Sequence, residues 1–175
     1  MVNYRRNRLP GGTYFFTAAL RDRSSQLLVE AVGALRHAYA ATQRGLPFES
    51  IAVVVLPEHL HAIWRLPEDD HNYPGRWRSL KARFVRALRR GGYTVPINAR
   101  GEANIWQPRY WEHTIRNDVD LRIHVDYIHW NPVKHGYVDR VGEWPYSSFH
   151  RYVRNGTLDA DWGGRKVAST GDFGE

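Results

Sequence analysis

The chain contains no cysteine and a single methionine among its 175 residues. Without thiols it can build neither a disulfide framework nor a thiolate metal site, which suits a reducing cytoplasm. No apolar run approaches the length needed to cross a bilayer, and the charged, glycine-bearing N-terminus lacks the apolar centre of a secretion signal. Acid is scarce: 18 Asp and Glu face 25 Lys and Arg, giving a net charge of +7 and a pI near 9.9. That excess favours a polyanionic partner. There is no internal repeat, and the length suits one domain over residues 1–175 that buries its core without covalent staples. A basic arm (about 1–12) and a loosely held tail (about 161–175) are expected to flank it.

Chemistry is concentrated at His59 and His61, inside IAVVVLPEHLHAIWRL (51–66). The two β-branched, apolar runs read as adjacent strands separated by Pro57 and Glu58. Side chains alternate along a strand, so both imidazoles share a face while Leu60 takes the other. Such a pair is half of a metal site, or equally two strand histidines bonded to backbone or water. Ala62, Ile63 and Trp64 follow, so the acid and histidine of an H-x-H-x-D-H metallo-hydrolase are missing.

A second segment, NDVDLRIHVDYIHWNPVKHGYV from Asn117, has a cap in Asn117 or Asp118 and apolar Leu121, Val125 and Ile128 at helical spacing. Pro132 is expected to stop this helix. Tyr127 and Asn131 lie four apart and share a face, with Ile123 and His124 close by. Glu58 is expected to face away from the histidines in a supporting role, Asp126 to be a surface partner, and His113 to be a hydrogen-bonded histidine beside the sheet.

Positive charge is also localised. RWRSLKARFVRALRR (76–90) carries seven basic residues and no acid. Trp77, Leu80, Phe84, Ala87 and Leu88 form an apolar stripe, leaving Arg76, Arg83, Arg86 and Arg90 to line another face that suits phosphates. Arg5, Arg6 and Arg8 add a basic arm. Of the 7 Trp, 10 Tyr and 6 Phe, some suit stacking on unpaired bases, while Trp64, Phe84 and Phe149 read as core. In order, the chain reads as a strand at 13–19, a helix at 25–42, the two strands around His59 and the basic helix. A glycine-marked linker at 91–101, an extended piece at 105–114 and the Tyr127 helix follow. This order suggests an α+β fold, a ferredoxin-like sandwich in which an antiparallel sheet carries helices on one face.

PEHLH on a strand, IWQPRYWEHTIRN, DYIHWNPVKHG and the N-terminal YRRNRLPGGTYFFT, in this order, resemble the REP-associated tyrosine transposases. These belong to the wider group of single-tyrosine transposases with a His-hydrophobic-His motif. The resemblance runs from about Tyr4 to about Trp162 and implies the same sandwich fold. It implies a metal on His59 and His61, with Asn131 at a position that is Gln in some relatives, and Tyr127 as nucleophile. It further implies cleavage and transfer of single-stranded DNA at REP-like hairpins through a 5′-phosphotyrosine, by a monomer. The donor set suits Mg²⁺ or Mn²⁺. A nuclease that uses water, or a non-enzymatic binder of structured nucleic acid, are the other readings of the same residues.

Overall fold

The computed structural model describes residues 8–163. Arg5 and Arg6, and most of the expected tail, lie outside them. Among the described residues four strands form one antiparallel sheet in the order β2-β3-β1-β4. They are β1 (Thr13–Ala19), β2 (Glu49–Val55), β3 (His59–Arg65) and β4 (Trp111–Thr114).

Alternation along the two central strands divides the protein into two cores. Tyr14, Phe16 and Ala18 of β1 and Leu60, Ala62 and Trp64 of β3 point to one side and pack under helices α2 (Val32–Gly45) and α3 (Tyr73–Arg90). Phe15 and Ile63, with Ala52 and Val54 of β2, point to the other side, where helix α4 (Asp118–Lys134) brings Val125, Tyr127 and Ile128. The expected antiparallel α+β sandwich therefore forms, with one difference: helices cover both faces. Apart from the ends Thr13 and Arg65, the odd residues of β1 and β3 are as buried as the even ones, so both faces need a cover.

The expected helix at 25–42 is two pieces, α1 (Leu27–Glu30) and α2, with Ala31 between them at φ −104° and ψ 29°. Asn72 caps α3, its side chain accepting from the Gly75 amide, with proline in the first turn. Asn117 caps α4 by accepting from the Asp120 amide. Pro132 does not end α4, which runs to Lys134. Proline removes one bond, but the turn is closed behind it by the His135 amide on the Asn131 carbonyl at 3.0 Å and the Tyr137 amide on the Pro132 carbonyl at 3.0 Å.

The free edge of β2 is covered from within the chain. The Val55 amide donates to Tyr146 and the Ser148 amide to Val53, at 2.9 and 2.8 Å, which removes an edge open to pairing. Helix α5 (Phe149–Arg154) follows. No helix among the described residues is long and apolar enough to cross a membrane.

Candidate active site

His59 and His61 lie on the α4 side of β3, both fully buried, with ring centroids 4.8 Å apart. Each Nδ1 is engaged. Glu58 Oε1 lies 2.7 Å from His59 Nδ1, and Thr17 Oγ1 lies 2.8 Å from His61 Nδ1. A carboxylate only accepts, so a proton of His59 lies on Nδ1, and in the neutral ring this tautomer leaves Nε2 as a lone pair. Glu58 stands just before β3, outside the alternation, and therefore does not face away as expected; it orients a ring. Burial works against its charge, yet the His59 bond and the nearby Arg23 hold its carboxyl below the ordinary range.

Helix α4 supplies the rest. Asn131 is fully buried, and its Nδ2 lies 3.3 Å from His61 Nε2. An amide nitrogen only donates, so His61 Nε2 accepts and its proton lies on Nδ1, toward Thr17. One turn earlier, Tyr127 sets its ring 5.3 Å from that of His61, edge to face. Lys134 Nζ donates to Tyr127 Oη at 3.1 Å and sits 4.9 Å from the ring centroid. Two Nε2 lone pairs and an amide that can turn its oxygen inward form a donor set that fits one divalent cation. Behind them, the His135 ring lies 5.5 Å from His59.

A separate cluster lies toward the N-terminus of α4. His113 Nε2 lies 2.9 Å from Asp120 Oδ2, and His124 Nδ1 lies 2.8 Å from the Asp120 carbonyl and 3.2 Å from Oδ1. Among the described residues these three form the one group of His and acid side chains close enough to hold a metal ion. Asp120 also accepts from the Arg116 amide at 3.0 Å. Burial opposes its charge, but the His113 and Arg116 bonds keep the carboxyl low, so the carboxylate is largely committed. Burial lowers His124. His113 is thus the hydrogen-bonded histidine expected beside the sheet. Asp126 is half-buried, its carboxyl raised by burial.

The basic helix rearranges the expected set of arginines. Arg76 is 1 % exposed; its guanidinium holds Asp70 at 2.8 Å, the Asn72 carbonyl at 3.1 Å and the Pro47 carbonyl. It cannot face a phosphate in this position, because it sits beside the Tyr73, Trp77 and Leu80 stripe. Arg83 is half-buried, with Nε on Ser79 Oγ at 3.1 Å. Arg8, Arg86 and Arg90 are exposed. The solvent side of α3 instead joins Arg78, Lys81, Arg86 and Arg89 along a groove of about 730 Å³ closed by Trp106 and Tyr110. Lys81, its amine on the Gln107 carbonyl at 2.9 Å, lies 5.6 Å from both of those rings.

Thr17, Lys134 and Asp120 carry no sign of a role in the sequence. Thr17 meets His61 through strand pairing across 44 positions, which local pattern does not reveal. Lys134 was readable only as the seventh residue after Tyr127 on a helix that continues through Pro132.

A histidine pair on a central strand, facing a helix-borne tyrosine across an antiparallel α+β sandwich, defines a single-tyrosine protein of the His-hydrophobic-His type. No family model matches the chain. It is 51 % identical over 164 residues to the REP-associated tyrosine transposase of Escherichia coli strain K12, covering 94 % of this chain and 92 % of that one. A Haemophilus influenzae protein named for the same transposase type is 48 % identical over 166 residues, covering 94 % of each. A solved REP-associated tyrosine transposase bound to a REP hairpin superposes with a TM-score of 0.84 at 48 % identity over 98 % of each chain. The chain belongs to the REP-associated tyrosine transposases, and it is a transposase enzyme.

Proposed function

We propose that this chain cleaves and rejoins single-stranded DNA at REP-like hairpins, with Tyr127 as the nucleophile. The observation that carries the reading is the convergence of His59, His61 and Asn131 on the face that presents the Tyr127 phenol. In cleavage the Oη–phosphorus bond forms and the phosphorus–O3′ bond breaks; the phenolic proton passes to solvent and the leaving oxygen takes one up. The products are a 5′-phosphotyrosine and a free 3′-hydroxyl. Rejoining is the reverse step, and it needs no ATP because the phosphotyrosyl bond keeps the energy of the broken linkage.

His59, His61 and Asn131 would hold Mg²⁺ or Mn²⁺, a better fit than the Asp120 cluster, whose carboxylate already accepts several hydrogen bonds. Held there, a divalent cation would supply charge neutralisation and orientation of the scissile phosphate. Glu58 and Thr17 keep the imidazoles in the tautomers that expose Nε2. Helix α4 holds the phenol beside them, and a tyrosine of ordinary pKa near 10 needs such company to react at neutral pH.

Exposed Arg8, Arg86 and Arg90, with Arg78, Lys81 and Arg89 along the α3 groove, carry the hairpin phosphates in this reading. Arg5 and Arg6 extend the basic arm. The site's residues come from one chain and the β2 edge is closed internally, which supports a monomer, and membership of a DNA-acting transposase family supports action in the cytoplasm on the nucleoid.

The test is incubation with a labelled REP-like hairpin oligonucleotide and Mn²⁺, followed by a denaturing gel. A shifted, protease-sensitive band that Tyr127→Phe removes, with hairpin binding retained, is expected. Cleavage that survives Tyr127→Phe without such a band would instead indicate attack by water, and binding without cleavage a recognition module.

A further inference from the structure

We infer that Lys134 is a working part of the tyrosine centre: its ammonium positions Tyr127 Oη and offsets the negative charge that oxygen carries as it attacks and as it leaves. This rests on the proposed covalent reaction at Tyr127 and adds a residue to it. The distances are direct, with Nζ 3.1 Å from Oη and 4.9 Å from the ring centroid. Lysine and tyrosine thus meet through both the hydroxyl and the π face, an arrangement that holds the phenol in one orientation.

Helix geometry explains the meeting. Seven residues are nearly two turns, so Tyr127, Asn131 and Lys134 stand on one face of α4, in the order phenol, amide, ammonium. This needs α4 to continue through Pro132, as it does. Ended at Asn131, the helix would leave Lys134 without a fixed direction. Lys134 is an exposed residue, yet its amine reaches a nearly buried ring, Tyr127 being 2 % exposed, so their part-buried bond lies where solvent and tyrosine meet. A phosphate approaching Oη would therefore come under the field of this cation. Lys134 acts through charge and position, and the atom balance of cleavage and rejoining is unchanged. A lysine in the last turn also suits the helix dipole, and that simpler role would affect stability alone.

The test separates the two roles. Single-turnover formation of the covalent adduct is measured at saturating REP-like hairpin with Mn²⁺, beside hairpin Kd and Tm, for native protein, Lys134→Met, Lys134→Arg and Tyr127→Phe. The expected result is a fall in the saturated rate of Lys134→Met on the order of 100-fold, as for loss of one charge-stabilising donor. Kd and Tm should stay near native, and Lys134→Arg should recover most of the rate. A saturated rate for Lys134→Met within about threefold of native, or a loss confined to Kd or Tm, would overturn the inference. If Tyr127→Phe still forms the adduct, the covalent reading itself fails; if that variant is dead while Lys134→Met is unimpaired, this inference alone fails.

Discussion

The two faces of the sheet use the same strands for opposite ends. On the α2 and α3 side, even-numbered residues of β1 and β3 build an aromatic core in which Trp64 stacks on Trp77 at 4.5 Å and Phe16 lies 5.0 Å from Trp64. On the α4 side, odd-numbered residues of the same strands set Thr17, His59 and His61 beside apolar Phe15 and Ile63, and α4 answers with Tyr127 and Asn131. One face gains stability by burying apolar area. The other buries polar groups that are costly to desolvate unless paired, and the bonds from Glu58 and Thr17 offset that cost. Period-two alternation thus lets a small domain carry a buried polar site on the back of an aromatic core.

The sharpest break of the comparison sets one variant from each face side by side. Trp64→Ala should cost about 3–5 kcal/mol through lost burial and a cavity, lowering Tm strongly, while the folded fraction still forms adduct. Tyr127→Phe should abolish the adduct and leave Tm nearly native. Similar stability losses in both would erase the division of labour.

Next in size is Glu58→Gln. Losing the charged acceptor on His59 Nδ1 should weaken divalent-ion affinity by about 10- to 100-fold, read by calorimetric Mn²⁺ titration. Affinity equal to native would place the ion elsewhere, and the same loss produced by Asp120→Asn would move it to the His113 cluster.

A smaller contrast lies within α3. Arg76→Ala should destabilise by about 2–3 kcal/mol, because Asp70 and two carbonyls lose their partner, and should change hairpin contacts little. Arg89→Ala should leave Tm unchanged and reduce the salt slope of hairpin binding by about one. The reverse pattern would restore the arginine face expected from sequence.

The last contrast is in pH. His129 on α4 is fully buried, bonded to Ser148 Oγ at 3.0 Å, and burial, with Arg151 and His150 nearby, pushes it down to about 3. The unfolded chain protonates this group near 6.5 and the folded protein only near 3, so the unfolded state binds more protons between those values. Stability should therefore fall as pH drops from about 6.5 toward 3. His129→Leu should flatten that limb of a Tm-against-pH curve; an unchanged limb would assign it to other groups.

Much of this was legible in the sequence because it is local. Alternation put His59 and His61 on one face, and spacing of four joined Tyr127 to Asn131. The Asn117 cap and the apolar stripe of α3 could be read in the same way. What was not legible depends on distant pairing or small energy differences. Thr17 reaches His61 only through strand register. Whether α4 stops at Pro132 turns on a single lost hydrogen bond against the packing of Asn131. Arg76 borders the apolar stripe, and charge alone did not reveal that Asp70 and the Pro47 carbonyl draw it inward.

The most direct test of the central claim is to trap the protein on a REP-like hairpin with Mn²⁺, digest the adduct and map the nucleotide-bearing peptide by mass spectrometry. The account predicts a 5′-phosphoryl nucleotide on Tyr127. Attachment at any other of the chain's 10 tyrosines, or cleaved DNA with no attachment, would contradict it.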